Sequence, residues 1–405
     1  MSKKKKILFL SQYFYPEYVS SATLPFDTAK RLVEEGYSVD ALCGYPKEYY
    51  EKSQVPLKER KNGIDIKRLN YLQMKRTSKV GRLVNFMSFT FKVFLHLKEF
   101  SKYAVVIVYS DPPVLPLVSA IAKKLFKCKM IFVAYDLYPE IAIRTGTIGE
   151  KSMISNMMKS VNSMVFKNAD GVVALSSEMK KFLIENRNIN EEKIFIIPNW
   201  YSDKGERKRI DSNNKFYGQF KDKFVVSYFG NMGTAEDVDT IIGTIDILKD
   251  NSDIQFMFAG HGNKMEHLKS VISKNKYKNA VVYDFLHGKD FEDALEITGC
   301  AIISLNEGLT GLCVPSKSYS YMSKGIPLLV IMGESDLVND IRSGAGYQIH
   351  NSDCVHMADV ILKMSKDEEA VSNMKKKCRK LFMEKYETSV CTKQYVEMIQ
   401  KIINN

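Results

Sequence analysis

No stretch of this sequence approaches the roughly 18 uninterrupted apolar residues that a membrane-crossing helix needs, so any contact with a bilayer is expected to be peripheral. The basic start, with lysines at 3–6, is followed by an apolar run of only 7–10 before Gln12 and Tyr13; it reads as a first strand rather than a leader peptide. The seven cysteines (Cys43, Cys128, Cys300, Cys313, Cys354, Cys378, Cys391) are odd in number and scattered, without a C-x-x-C pair. Neither a disulfide framework nor a zinc knuckle is expected, and a reducing cytoplasm fits. No repeat of about 20–50 residues is visible. A D-x-D pattern occurs at Asp237 and Asp239, in the first turn of an expected helix. Acids are favoured there by the helix dipole, so no metal is expected.

What is present is a 405-residue chain, 45% apolar and 26% charged, which is the composition of globular domains and more than one core usually spans. The formal net charge of +12 points to an anionic partner: nucleic acid, an acidic bilayer or phosphorylated small molecules. Short apolar runs alternate with longer helix-like segments at 7–10, 38–42, 105–109, 130–134, 171–175 and 193–197. The alternation resumes at 224–229, 254–259, 280–284, 301–305 and 328–331. That rhythm predicts βα units and two parallel sheets. Between them 201–223 is polar and charged, the composition of an exposed linker, and the domain boundary is set there. The expected first domain is 1–203 together with a terminal helix over 384–405, and the second is 204–383. Ligands of such sheets lie at the carboxyl ends of the strands, so function is expected in a cleft between the two.

Candidate chemistry follows those strand ends. Gly230, Asn231 and Gly233 close the first strand of the second half, and Gly260 and Gly262 flank His261 after the next. Glycine turns leading into helices let backbone amides approach a phosphate, although many such turns use glycine for geometry alone. Ser316 and Lys317 open a helix after a loop containing Glu307, presenting an ammonium to a diphosphate or simply to solvent. In the first half Glu17, Asp136 and Glu140 follow strands. Each is placed to orient an acceptor hydroxyl or, equally, to cap a helix. From 58 to 102 bases outnumber acids and are interleaved with Phe86, Phe89, Phe91 and Phe94, a pattern suited to anionic lipid or to a solvated face over a buried helix. No recognisable nucleic-acid-binding module accompanies it, and no nucleic acid is expected as a partner.

Taken in order, Tyr15-Pro16-Glu17, Asp136 through Glu140, Pro198-Asn199-Trp200, Gly230 through Gly233, Gly260-His261-Gly262 and Pro315-Ser316-Lys317 resemble the retaining glycosyltransferases of family 4. The likeness is to bacterial members that build capsule, O-antigen and exopolysaccharide. The resemblance implies the GT-B fold: two Rossmann-like, doubly wound parallel-sheet domains facing across a cleft, with a C-terminal helix crossing back to the first. It also implies a metal-independent reaction with no cofactor, in which a nucleotide-sugar, expected to be a UDP-sugar, is the donor substrate. Carried over by position, Gly230, Asn231, Gly233 and Lys317 meet the diphosphate, Ser316 joins the donor site, Gly260 and Gly262 lie near the nucleotide, Leu286 meets the base and Glu307 faces the donor sugar. Glu17, Asp136 and Glu140 serve a lipid-linked or oligosaccharide acceptor, with Asp136, Lys317 and Glu307 taken as catalytic. The location implied is cytoplasmic, peripheral at the inner face of the membrane.

Three positions depart from the family pattern. Ser320 stands where members carry a ribose-binding Glu, no Arg or Lys follows the Gly230 turn, and Ser20 and Ser21 replace first-loop glycines. Two other readings share the same fold: a catalytically silent subunit that binds a partner or glycan, and a sugar-nucleotide epimerase.

Overall fold

The computed structural model describes residues 6–46, 54–74, 79–205 and 212–404. The chain divides into two units. One comprises Met1–Asn199, Gly311–Val314 and Ser389–Asn405; the other comprises Trp200–Thr310 and Pro315–Thr388.

The first unit is built on strands β1 (Lys6–Leu10), β2 (Ser38–Gly44), β3 (Lys58–Lys61), β4 (Ile64–Leu69), β5 (Val105–Tyr109), β6 (Lys129–Val133), β7 (Gly171–Ala174) and β8 (Ile194–Ile196), in the order β3-β4-β2-β1-β5-β6-β7-β8. All neighbours run parallel except β3 and β4. The central β5 is five consecutive β-branched or aromatic residues, all buried. That is the near-continuous apolar run a strand needs when helices cover both faces of its sheet. Helix Thr388–Asn404 belongs to this unit, and its Ile402 packs so closely on Gly171 of β7 that a Cβ there would stand 2.5 Å from Ile402 Cδ1.

The second unit carries β9 (Phe224–Asn231), β10 (Ile254–His261), β11 (Ala280–Tyr283), β12 (Cys300–Ser304), β13 (Leu328–Ile331) and β14 (Gly346–Ile349). They form one parallel sheet ordered β11-β10-β9-β12-β13-β14. Each sheet therefore reverses its winding once, between β1 and β5 in the first and between β9 and β12 in the second. The crevice at such a reversal is where doubly wound sheets receive ligands.

Three strands lie outside the sequence expectation. β3 and β4 fall in the basic stretch, where Lys58–Lys61 offers no apolar residue at all; the readable signal was Asn62-Gly63, both at positive φ, the pair that closes tight hairpins. β14 is a four-residue edge strand with only Ile349 fully buried. The expected linker is also corrected over its described part: Asn214, Phe216 and Phe220 are buried in the second unit. Asn214 Nδ2 donates to the Asp293 carbonyl at 2.9 Å, and the Phe216 ring meets Tyr283 at 5.3 Å. The polar composition of that segment hid three anchors.

Candidate functional site

In the second unit the loops leaving β9 and β12 are stitched together at the winding reversal. The backbone N–H of Asp237 donates to Ser304 Oγ (2.8 Å), the N–H of Asn306 donates to the Ala235 carbonyl (2.7 Å), and Asn306 Nδ2 donates to the Thr234 carbonyl (2.8 Å). Asp237 caps the following helix, accepting from the Thr240 N–H (3.1 Å) and hydroxyl (2.7 Å) and from Asn351 Nδ2 (2.8 Å). The first carboxylate of the D-x-D pattern is thus engaged by the helix cap and by Asn351, while Asp239 is exposed in the first turn.

Lys317, first residue of helix Lys317–Ser323, is brought to the end of β9. Its stem lies on Gly230, where an added Cβ would meet Cε at 3.0 Å, and its Nζ sits 5.0 Å over the Tyr228 ring. The ammonium is 3.3 Å from Glu236 Oε1. The same carboxylate accepts from the Gly233 N–H (2.8 Å) and lies 3.1 Å from the Tyr228 hydroxyl, which donates to the Asn231 carbonyl at 2.7 Å. Gly230, Gly233 and Lys317, separate motif residues in the sequence, therefore converge on one centre, together with Glu236, which belongs to none of the motifs.

The other expected donor residues are placed less uniformly. Gly260 and Gly262 are at positive φ, and each packs directly on the β9 turn. The first-turn amides of Lys264 and Met265 donate to the Met232 carbonyl, so that helix start already serves the protein itself. Asn231 is exposed, its carboxamide lying between Gly233 and Gly262. His261 is exposed with its ring 5.6 Å from that of the exposed Phe285, next to the half-buried Leu286. Glu307 is exposed beyond β12. Ser316 is the residue before the Lys317 helix and makes no side-chain cap there, while Ser320 Oγ donates to the Lys317 carbonyl at 2.8 Å within its own helix.

In the first unit Asp136 follows β6, its N–H and that of Tyr135 donating to Ser110 Oγ at 3.3 and 3.0 Å. Burial, and then the like charge of Asp111, push its carboxyl up to about 6. It lines a hollow of about 10 Å³ with Ser110, Leu137, Tyr138 and Asn162, space for no more than one water. Glu140, at the start of helix Glu140–Arg144, is ion-paired with Arg187. Glu17 is buried and accepts weakly from the Phe14 N–H at 3.4 Å. The segment Gly311–Val314, read as part of the donor loop, belongs to this unit, and the Leu312 carbonyl accepts from the Leu137 N–H at 2.9 Å.

The basic stretch is partly self-neutralised. Arg68 is buried and ion-paired with Glu59 while donating to the carbonyls of Pro56 (2.7 Å) and Tyr15 (2.8 Å), and Lys67 meets Glu99 at 2.7 Å. It also leaves an apolar stripe exposed on helix Lys79–Phe94: Val80, Leu83, Met87, Phe91 and Phe94, spaced three and four apart. That helix packs on Pro116–Phe126, which in turn packs on Met153–Asn168, where Met153, Ile154 and Met157 are exposed beside Lys159. Among the described residues no helix is long and apolar enough to cross a membrane.

Two parallel α/β units, each reversing its winding once, define an architecture of two Rossmann-like domains. Residues 22–203 match the model of Glycosyltransferase Family 4. The chain is 25% identical over 280 residues to the probable glycosyltransferase WbjE of Pseudomonas aeruginosa, covering 68% of this chain and 69% of that one. Among solved structures it is similar to Anabaena Alr3699/HepE in complex with UDP-glucose (TM-score 0.70, 13% identity, 98% of this chain and 99% of that one). It is similar also to WaaG, a glycosyltransferase involved in lipopolysaccharide biosynthesis (TM-score 0.69, 12% identity, 97% and 99%). The family 4 match thus lies on residues 22–203, and the whole chain has the GT-B fold of these solved structures.

Proposed function

We propose that this enzyme transfers a hexosyl or N-acetylhexosaminyl group from a UDP-sugar to a lipid-linked glycan, with retention at the anomeric carbon and without a metal, in the making of a surface polysaccharide. The observation that carries the reading is the ammonium of Lys317 fixed at the winding reversal of the second sheet, in a polar cluster already suited to an anion. As the bond from the anomeric carbon to the diphosphate oxygen breaks, its electron pair moves onto the diphosphate, and a pre-positioned cation there lowers the barrier. The acceptor hydroxyl attacks from the side the diphosphate leaves, so configuration is kept, and its proton passes to the departing phosphate oxygen. Asp136 orients the acceptor and Glu307 the donor sugar. The complex of HepE with UDP-glucose, on the same fold, supports uridine as the base.

The membrane part of the proposal rests on the stripe Val80 to Phe94 flanked by exposed Arg82 and Lys92. An apolar face rimmed by bases suits the interface of an anionic bilayer, where a lipid-linked acceptor would be presented.

Lys317→Ala is the test. Removing the charge that meets the leaving group is expected to cut kcat by roughly 10²–10³-fold with the fold intact by circular dichroism. Near-normal turnover would remove the basis of the assignment. A silent binding subunit, by contrast, would bind nucleotide without releasing UDP from any donor.

A further inference from the structure

The donors grouped at the end of β9 are not idle. The Gly233 N–H and the Lys317 ammonium both point at one carboxylate, that of Glu236, at 2.8 and 3.3 Å; the Tyr228 hydroxyl lies 3.1 Å from it while donating to the Asn231 carbonyl at 2.7 Å, and Glu236 is buried. A carboxylate held by a backbone N–H and an ammonium is a paired anion. Lys317 is the group the proposed function sets against the donor diphosphate, so the inference rests on that reading. We infer that Glu236 is a built-in surrogate for the phosphate: it occupies the anion position beside Lys317, keeps that side chain stretched across Gly230 and Tyr228, and must swing out when the donor binds.

Two observations favour displacement over sharing. The stretch Thr234-Ala235-Glu236-Asp237 supplies no other base, so Lys317 is the cation of this centre and Glu236 cancels it. A diphosphate entering beside a retained carboxylate would meet a like charge within about 5 Å, which at protein-surface screening weakens binding by roughly tenfold or more. The carboxylate also sits on a loop, at the second residue before the helix Val238–Ile247, with Asp237 doing the capping. Glu236 can therefore leave its position without unfolding the helix start. Its consequence is selectivity: ligands with one phosphate or none recover less than the cost of moving the carboxylate, and only a diphosphate displaces it fully.

The experiment is isothermal titration of the full chain with UDP, UMP and uridine, for wild type, Glu236→Gln and Glu236→Ala, each checked for a native melting transition. Both variants are expected to bind UDP roughly tenfold or more tightly than wild type, UMP with a smaller gain and uridine with none, because the gain follows ligand charge. If wild type binds UDP and the variants bind it equally or less tightly, or gain equally for all three ligands, Glu236 is a fixed structural support and the inference falls alone. If neither wild type nor the variants bind UDP, the donor-site reading falls and takes the inference with it. Where Glu236→Gln loses its native transition, Glu236→Ala decides by the same ordering of ligands.

Discussion

Replacing Asp136 by asparagine should stabilise the protein at neutral pH while impairing it as an enzyme. The carboxyl is enclosed after β6, and burial, reinforced by the like charge of Asp111, lifts its pKa from 3.8 to about 6. The folded form therefore holds its proton more tightly than the unfolded form between those two values. In that window the unfolded chain binds fewer protons, so stability is present below about pH 4 and is lost as pH rises through 6. A rise of that size corresponds to about 3 kcal/mol, which partial solvent access reduces to about 2. Asparagine carries no charge to bury. Its melting temperature should match wild type near pH 4 and exceed it by roughly 4–8 °C at pH 8, read by calorimetry across that range. If Asp136 also orients the acceptor in its ionised form, the rise of kcat/KM with pH near 6 should vanish in the variant together with most of the rate. A melting difference that is constant with pH, or a variant less stable than wild type at pH 8, would refute the account of a desolvated carboxylate.

Two further outcomes follow from packing and surface. Gly260→Ala places a Cβ 2.0 Å from the Gly230 carbonyl oxygen at φ +147°, so it should cost about 3 kcal/mol or more, measured by denaturant unfolding of the purified variant. Leu83→Glu combined with Phe91→Glu adds two charges to the exposed stripe without touching the core; co-sedimentation with phosphatidylglycerol vesicles should fall several-fold with turnover on a water-soluble acceptor unchanged.

Much of the fold was legible because parallel strands buried on both faces must be apolar throughout. Val105–Tyr109 and Leu328–Ile331 coincide with their expected spans for that reason. The same rule hid β3, an edge strand of Lys, Glu, Arg and Lys that owes its place to the Asn62-Gly63 turn and to its partner β4 rather than to burial. It also hid Arg68, counted among the surface bases although it lies buried against Glu59 and two carbonyls. A single charged letter carries no mark of the partner that will neutralise it. Glu236 is the sharper case: its neighbours Gly233 and Lys317 were visible as motif residues, but the two donors that meet on its carboxylate come from 233 and 317, and only folding unites them.

The glycines of the second unit show why a motif and its mechanism need separate arguments. Gly230 pairs with Gly260 across β9 and β10, and a side chain at 260 would enter the Gly230 carbonyl, while one at 262 would come within 2.2 Å of the Met232 oxygen. Strand packing alone therefore demands glycine at 260 and 262, whatever the ligand. The amides that a phosphate reading needs behind Gly262 are spent on Met232. Gly230 differs, because its missing side chain makes room for the Lys317 stem rather than for backbone. An alanine there would strain the backbone at φ +116° and also move the ammonium, so of these three glycines Gly230 is the one whose missing side chain serves Lys317. The electrostatic case for the donor site accordingly stands on Lys317 and the anion it already holds, not on the number of glycines around it.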